Sequence, residues 1–215
     1  AVGGASSVVA LGLLRLIGLI TNVVFYGRIE TDLVAPGAGH HAPLVILAAP
    51  VVGGLIVGLL ARFGSERIRG HGMPEAIEAI LIGGSKVQPR VAILKPISSA
   101  VTIGTGGPFG AEGPIIMTGG AVGSVAAQFL KLTADERKTL LVAGAAAGMA
   151  ATFNAPLASI LLAVELLLFE WRPRSYLPVA TSVVMATICR GYLLGTAPVF
   201  PMHDVALHLG PAVYL

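Results

Sequence analysis

The sequence predicts an all-α fold: a polytopic bundle of transmembrane helices, some of them broken or re-entering the membrane as half-helices. Hydrophobic residues make up 55% of the 215 residues and charged residues only 12%, whereas soluble domains carry about 25% charged residues. The mean hydropathy is +0.85. The 28 glycines and 14 prolines lie inside apolar runs, and both residues are commoner in membrane helices than in soluble ones. This composition favours a protein that lies in lipid.

The distribution of charge also fits a membrane protein. The net charge is +3, and most basic residues lie in short segments between apolar runs, where they set the orientation of the spans. The sequence contains no basic stripe with interleaved aromatic residues, so we expect no nucleic-acid partner. Cys189 is the single cysteine and is interpreted as a small buried hydrophobic residue. Because no Cys/His cluster has zinc-site spacing, we expect no metal and no cofactor.

Two apolar runs near the start of the chain are long enough to cross a bilayer. Residues 2 to 27 form a stretch that only Arg15 and Asn22 interrupt, and a helix of this length spans the hydrocarbon core at a tilt. Residues 43 to 61 contain no charge and have close to the ~20 residues that a spanning helix needs. We therefore predict two transmembrane helices joined by a polar loop.

The next apolar segment, residues 73 to 82, is too short to cross the membrane and is predicted to be a half-helix. Three arginines precede it, and Lys86, Arg90 and Lys95 follow it. Basic residues concentrate in cytoplasmic segments, so both flanks are expected in the cytoplasm. The half-helix then enters the membrane from the cytoplasm and returns.

The middle of the chain is predicted to contain two further helical pieces around a glycine-rich junction. Residues 91 to 107 form an apolar piece, the junction ends at Pro114, and a helix runs from near Gly113 to about Leu130. The polar turn after this helix offers Thr133 and Asp135 as N-caps for the next one.

A further break and a last span complete the predicted helices. The run after Thr133 is interrupted at Asn154-Ala155-Pro156, where proline breaks or kinks a helix. A last span is expected over residues 176 to 194. The chain begins in an apolar run without an initiator methionine and ends without a cap. We therefore expect residues 1–215 to be part of one transmembrane domain of a longer protein.

Two further patterns concern packing and charge. Gly119 with Gly123, and Gly144 with Gly148, have helical spacing, which predicts close contact between helices. Glu75 and Glu78 lie near the start of the predicted half-helix, where carboxylates complement the positive end of the helix dipole.

Three junctions share a Gly/Pro or Asn/Pro break directly before a helix N-terminus: residues 70 to 74, 110 to 114 and 154 to 156. Because lipid cannot bond exposed backbone groups, broken backbone at membrane depth must be buried in protein or line a cavity, which points to a transport pathway. Unpaired amides and the helix dipole favour an anion at each N-terminus. The predicted anion-binding residues are Gly72, Met73, Pro74, Gly110, Ala111, Gly113 and Pro114.

Glu112 is the predicted gate of the pathway. It lies at one of these N-termini, and residues 96 to 130 contain no other charge. A carboxylate there takes the place of a permeant anion, and its protonation removes that competitor, which couples anion passage to pH. The alternative is a glutamate that only satisfies the helix N-terminus. We favour the gate, because intramembrane carboxylates are usually functional.

These motifs are similar to those of one known family. GHGMP resembles the GSGIP motif of CLC chloride channels and proton-chloride antiporters, GAEGP resembles their GREGP, and AGAAAGMAATFNAPLASILLAVE is similar to the segment that follows; the similarity runs from about Val45 to about Arg174. The resemblance implies the N-terminal half of a CLC-type membrane domain, the first half of an inverted repeat. The second half and any cytoplasmic domain would lie outside this chain. It also implies a homodimer.

The resemblance assigns roles to individual residues. It makes Glu112 the external gate and places His71 where the serine of GSGIP contributes its hydroxyl to the central anion site. His71 would then bind the anion, and its protonation would make the strength of binding depend on pH. Alternatively, His71 turns away and bonds to the backbone, and the amides of Gly72 and Met73 bind the anion. Lys95 matches a lysine that adds positive potential to the pathway, or it snorkels as a cytoplasmic anchor.

Two departures from the family pattern bear on proton coupling and local charge. Ala111 replaces the arginine of GREGP, so the electrostatics beside the gate differ. The internal proton glutamate of the exchangers falls on Leu166, which favours a channel or an uncoupled carrier. Glu165, one position earlier, is a possible proton path, and Glu170 is another substitute.

The expected function is transmembrane transport of chloride, without enzymatic activity, by a multi-pass integral protein of the plasma (inner) membrane. One alternative is a proton-uncoupled carrier or a channel for another anion such as nitrate or fluoride. A phosphate-binding enzyme is disfavoured, because no Lys-Ser/Thr follows the glycines of residues 104 to 113. A membrane scaffold without transport would explain the spans but not the three anion-type N-termini.

Overall fold

The computed structural model describes residues 1–39, 41–70 and 72–195, and it confirms the all-α prediction: this part of the chain is helical, without strands. The α-helices, in chain order, are α1 Val2–Thr21, α2 Pro43–Phe63, α3 Met73–Leu81, α4 Pro89–Gly104, α5 Glu112–Phe129, α6 Ala134–Phe153, α7 Pro156–Leu162 and α8 Pro173–Leu193. The short α3 and the break between α6 and α7 lie where the sequence predicted them.

Two helices continue beyond their α-helical part as wider π-helical turns. Asn22–Tyr26 extends α1, and Ala163–Leu168 extends α7. Among the described residues, Val2–Tyr26 and Pro43–Phe63 are the helices long and apolar enough to cross a membrane by length and composition. These are the two spans predicted near the start of the chain.

The core is built around the contact between α5 and α6, where glycines let the two backbones approach closely. A Cβ atom on Gly119 would overlap the carbonyl oxygen of Gly144, and one on Gly123 would overlap that of Leu140. Residues 141 to 152 of α6 are buried throughout, and α6 also packs against α1 and α8. The close packing predicted from the glycine spacing is therefore confirmed.

The ends of α6 explain why the chain turns there. Thr133 is the N-cap: its hydroxyl oxygen accepts from the Glu136 amide at 3.4 Å, and Glu136 Oε2 accepts from the Thr133 amide at 3.0 Å. Asp135 lies inside the first turn and is not a cap, so that alternative was wrong. Asn154 ends the helix in the left-handed conformation with φ +55°, and the proline that follows begins α7.

Two buried polar residues in the apolar helices bond to backbone carbonyls. The Asn22 amide donates to the carbonyls of Gly18 and Asp32 at 3.0 and 2.9 Å, which folds the loop after α1 back onto the helix. Arg190 of α8 is 3% exposed, and its Nε donates to the Ala151 carbonyl at 2.8 Å. A cation at the last turn of α6 suits the negative end of the helix dipole.

Candidate anion-binding site

Two of the three predicted junctions lie at the N-termini of α3 and α5, and these two N-termini contact each other directly. Gly72 precedes α3 with φ +101°, and a Cβ atom there would overlap the backbone of Gly113 in the first turn of α5. Only glycine satisfies both the left-handed conformation and the close approach. The positive ends of two helix dipoles thus point to one region of the protein.

A cavity of about 540 Å³ lies at this region and is lined by α2, α4, the start of α5 and the loop before α3. The start of α5 contributes backbone and one carboxylate, the loop before α3 contributes one cation, and α4 contributes hydroxyl groups. The polar or glycine residues that line it are Gly54, Arg69, Gly70, Ser98, Ser99, Thr102, Gly110, Glu112 and Gly113. A cavity with these donors can hold a small anion.

Glu112 is the first residue of α5 and lines this cavity. Ala111 is the N-cap and has no side-chain oxygen to cap the helix, while its carbonyl accepts the Ile115 amide at 3.0 Å. The amides of the first turn have no preceding helix carbonyl to bond, so the carboxylate and an anion have the same donors available. Glu112 is exposed in the described structure.

The start of α3 differs from the predicted anion-binding site. The Gly72 amide donates to Glu75 Oε2 at 2.7 Å, so an internal carboxylate already bonds this predicted anion ligand. Gly72, Met73 and Pro74 also do not line the cavity. The predicted dipole role of Glu75 is confirmed. His71, the predicted anion ligand of the same junction, lies outside the described residues.

Lys95 is buried and fixes the loop before α3. It is 2% exposed, and its Nζ donates to the carbonyls of Ile68 and Gly70, each at 2.8 Å. The alternative of a snorkelling anchor is therefore wrong, because the ammonium group points into the protein. Its charge lies beside the α3 junction, close enough to Glu75 for the two charges to attract each other.

The hydroxyl groups on α4 were not predicted from the sequence to line the site. Lys95, Ser98, Ser99 and Thr102 lie at positions i, i+3, i+4 and i+7, which places them on one face of a helix. This spacing was readable from the sequence, but the serines and threonine looked like unremarkable small residues in an apolar run. The structure turns the three hydroxyl residues into the cavity.

The third junction and the proposed proton carboxylates lie away from this cavity. Residues 154 to 156 form the predicted break, yet they do not line the cavity, and neither does Glu165, which is exposed on the π-helical turn after α7. Glu170 accepts a 2.6 Å hydrogen bond from the Ser175 hydroxyl. This bond, with the nearby cations Lys138, Arg172 and Arg174, holds the pKa of Glu170 below its ordinary value.

The described part of the chain is a helical bundle with broken helices, and the cavity lies at the start of one of them. The family model described as voltage gated chloride channel matches residues 53–215, and the chain belongs to this family of integral membrane proteins. Among the described residues, no group of three or more His, Cys, Asp or Glu side chains is placed to hold a metal ion.

Known relatives and solved structures agree with this assignment. The chain is 34% identical over 208 residues to the H(+)/Cl(-) exchange transporter ClcA of Vibrio vulnificus, covering 86% of this chain and 43% of that protein. It is 28% identical over 160 residues to the putative chloride channel protein ClcB-like of Ralstonia nicotianae, covering 73% and 37%. The chain therefore spans less than half the length of these curated relatives.

Two solved structures share the fold. A slow cyanobacterial Cl-/H+ antiporter superposes with a TM-score of 0.67 at 24% identity, covering 95% of this chain and 48% of that one. A CLC-type fluoride/proton antiporter superposes with a TM-score of 0.70 at 21% identity, covering 99% and 51%. The predicted CLC-type helical fold is thereby confirmed.

Proposed function

We propose that the protein containing this chain transports chloride or a similar small anion across a membrane, through a pathway that includes the cavity at the start of α5. The observation that carries the proposal is the meeting of two helix N-termini at a cavity lined by the Glu112 carboxylate. The names of the relatives, a chloride channel and H(+)/Cl(-) exchange transporters, support it. We also propose a homodimer in the plasma (inner) membrane, as the family resemblance implies.

Glu112 acts as the gate in this proposal. When ionised, its carboxylate occupies the positive end of the α5 dipole and competes with the permeant anion for the amides of the first turn. When protonated, it loses the charge that holds it there, and the anion enters. Arg69 on the cavity wall and Lys95 beneath the adjoining loop add positive potential that favours anions over cations.

A second candidate is an uncoupled carrier or channel for chloride, nitrate or fluoride. It is favoured by Leu166, which the resemblance places where proton exchangers have a carboxylate, and by the position of Glu165 away from the cavity. The structural likeness to a fluoride/proton antiporter concerns the fold alone, since the two chains share 21% identity. The two candidates differ in whether protons move with the anion.

The test is anion efflux from liposomes that contain the full-length protein, recorded together with external pH. We expect chloride to leave vesicles when a potassium ionophore balances the charge, at a rate well above that of protein-free vesicles. Proton movement against its gradient during efflux would establish exchange, and its absence would establish the uncoupled alternative. No efflux of chloride, nitrate or fluoride would contradict the proposal and favour a scaffold without transport.

A further inference from the structure

The three hydroxyl groups that α4 presents to the cavity differ in what their hydrogens bond. Ser98 Oγ donates to the Lys95 carbonyl at 2.9 Å, and Thr102 Oγ1 donates to the Ser98 carbonyl at 2.9 Å. Each hydroxyl has one hydrogen, so these two groups offer the cavity only their lone pairs. An anion needs hydrogen-bond donors, so Ser98 and Thr102 are not anion ligands in this arrangement.

Ser99 lies between them and is different. It lines the same cavity, it is 9% exposed, and within the described part of the chain its hydroxyl has no hydrogen-bond partner. The Ser99 Oγ is not among the fully buried polar atoms that lack a partner, so it is accessible from the cavity, and a hydroxyl without a protein partner can donate its hydrogen there. Ser99 is therefore the α4 group whose hydrogen is available to a molecule in the cavity.

Ser99 differs from Ser182, another serine whose hydroxyl has no partner in the described part of the chain, because Ser99 lines the cavity. Ser182 on α8 is 8% exposed and also has no partner among the described residues, yet it does not line the cavity at the start of α5. Ser99 instead faces the space shared by the α5 N-terminus and Arg69. The donors around this space suit a monovalent anion that accepts hydrogen bonds.

We infer that Ser99 donates its hydroxyl hydrogen to the transported anion, together with the first-turn amides of α5. The inference rests on the proposed function and names a ligand for it. The family resemblance assigned a serine hydroxyl to the position that His71 occupies in this chain. Ser99 supplies a hydroxyl from a different helix, α4.

The experiment compares the chloride concentration at half-maximal efflux for three variants of the full-length protein in liposomes. Ser99→Ala removes the donor and is expected to raise this concentration about tenfold, equivalent to about 1.4 kcal/mol, because hydrogen bonds to charged groups are the strong ones. Ser99→Thr keeps a hydroxyl and is expected to stay within about threefold of wild type. Ser182→Ala is the matched control and is expected to stay within about twofold.

The outcomes separate this inference from the proposed function. Equal half-maximal concentrations for Ser99→Ala, Ser182→Ala and the wild type would overturn the role of Ser99 while anion transport stands. An equal loss in Ser99→Ala and Ser99→Thr, with both variants eluting as the wild type does in size-exclusion chromatography, would assign the effect to packing and also overturn it. A wild-type protein without anion flux would overturn both proposals.

Discussion

Replacing Gly123 with alanine is expected to lower the free energy of unfolding by about 3 kcal/mol, the upper end of the cost of overpacking a core. The added methyl group would overlap the carbonyl oxygen of Leu140, and backbone atoms cannot rotate out of the way as a side chain can. The α5–α6 contact is the centre of the core, so the two helices would have to separate. Denaturant unfolding of the full-length protein in detergent measures the effect.

Gly12→Ala is the matched control for this prediction. Gly12 also lies inside a helix, α1, but a Cβ atom there would meet nothing within 4 Å. Alanine is a better helix former than glycine by roughly 0.5–1 kcal/mol, so this variant is expected to be as stable as the wild type or slightly more stable. Unfolding of Gly123→Ala and Gly12→Ala at the same denaturant concentration would contradict the close approach of α5 and α6.

Replacing Gly72 with alanine is expected to reduce chloride efflux at least tenfold, even where the protein still folds. The new methyl group would overlap the backbone of Gly113, which lines the cavity, and would displace the first turn of α5. An anion held by the first-turn amides of α5 would then lose part of its coordination, since hydrogen bonds weaken steeply as their geometry departs from the ideal. Efflux from liposomes at saturating chloride measures the loss.

Gly84→Ala separates this effect from simple backbone strain. Gly84 also has a left-handed conformation, with φ +58°, but a Cβ atom there meets nothing within 4 Å. Alanine therefore introduces a strain of order 1 kcal/mol at this position without a steric overlap. We expect Gly84→Ala to retain most of the efflux. Equal losses in both variants would show that the contact between Gly72 and Gly113 has no functional role.

Much of the fold was predictable because the local signals are strong. Long apolar runs predicted α1 and α2, and Pro156 after Asn154 marked the break between α6 and α7. The glycine spacing on α5 and α6 indicated that they pack closely. Each of these features depends on residues that are near one another in the sequence, or on a periodicity that one helix carries by itself.

The arrangement of the site was less predictable because it depends on contacts between distant segments. Three junctions had the same character in the sequence, and only the structure shows that the α3 and α5 junctions share a cavity while residues 154 to 156 lie elsewhere. Likewise, no pattern indicated that Lys95 would bond the carbonyls of Ile68 and Gly70, some 25 residues earlier in the chain.

The amide of Gly72 illustrates a different difficulty. The sequence predicted both an anion-binding amide and a carboxylate that complements the helix dipole, and both predictions concern the N-terminus of α3. The structure decides between them, since Glu75 Oε2 bonds the Gly72 amide. Ser99 was missed for a related reason, because a serine in an apolar helix usually bonds its own backbone, as Ser98 does.

The measurement that tests the central claim most directly is the pH dependence of chloride efflux in the wild type and in Glu112→Gln. If the ionised carboxylate competes with the anion, wild-type efflux rises as the pH falls and protonates Glu112, whereas the glutamine variant has no charge to lose and keeps one rate across the range. Glu30→Gln, in the exposed loop after α1, is the control and should follow the wild type. A Glu112→Gln variant that retains the wild-type pH dependence would contradict the account.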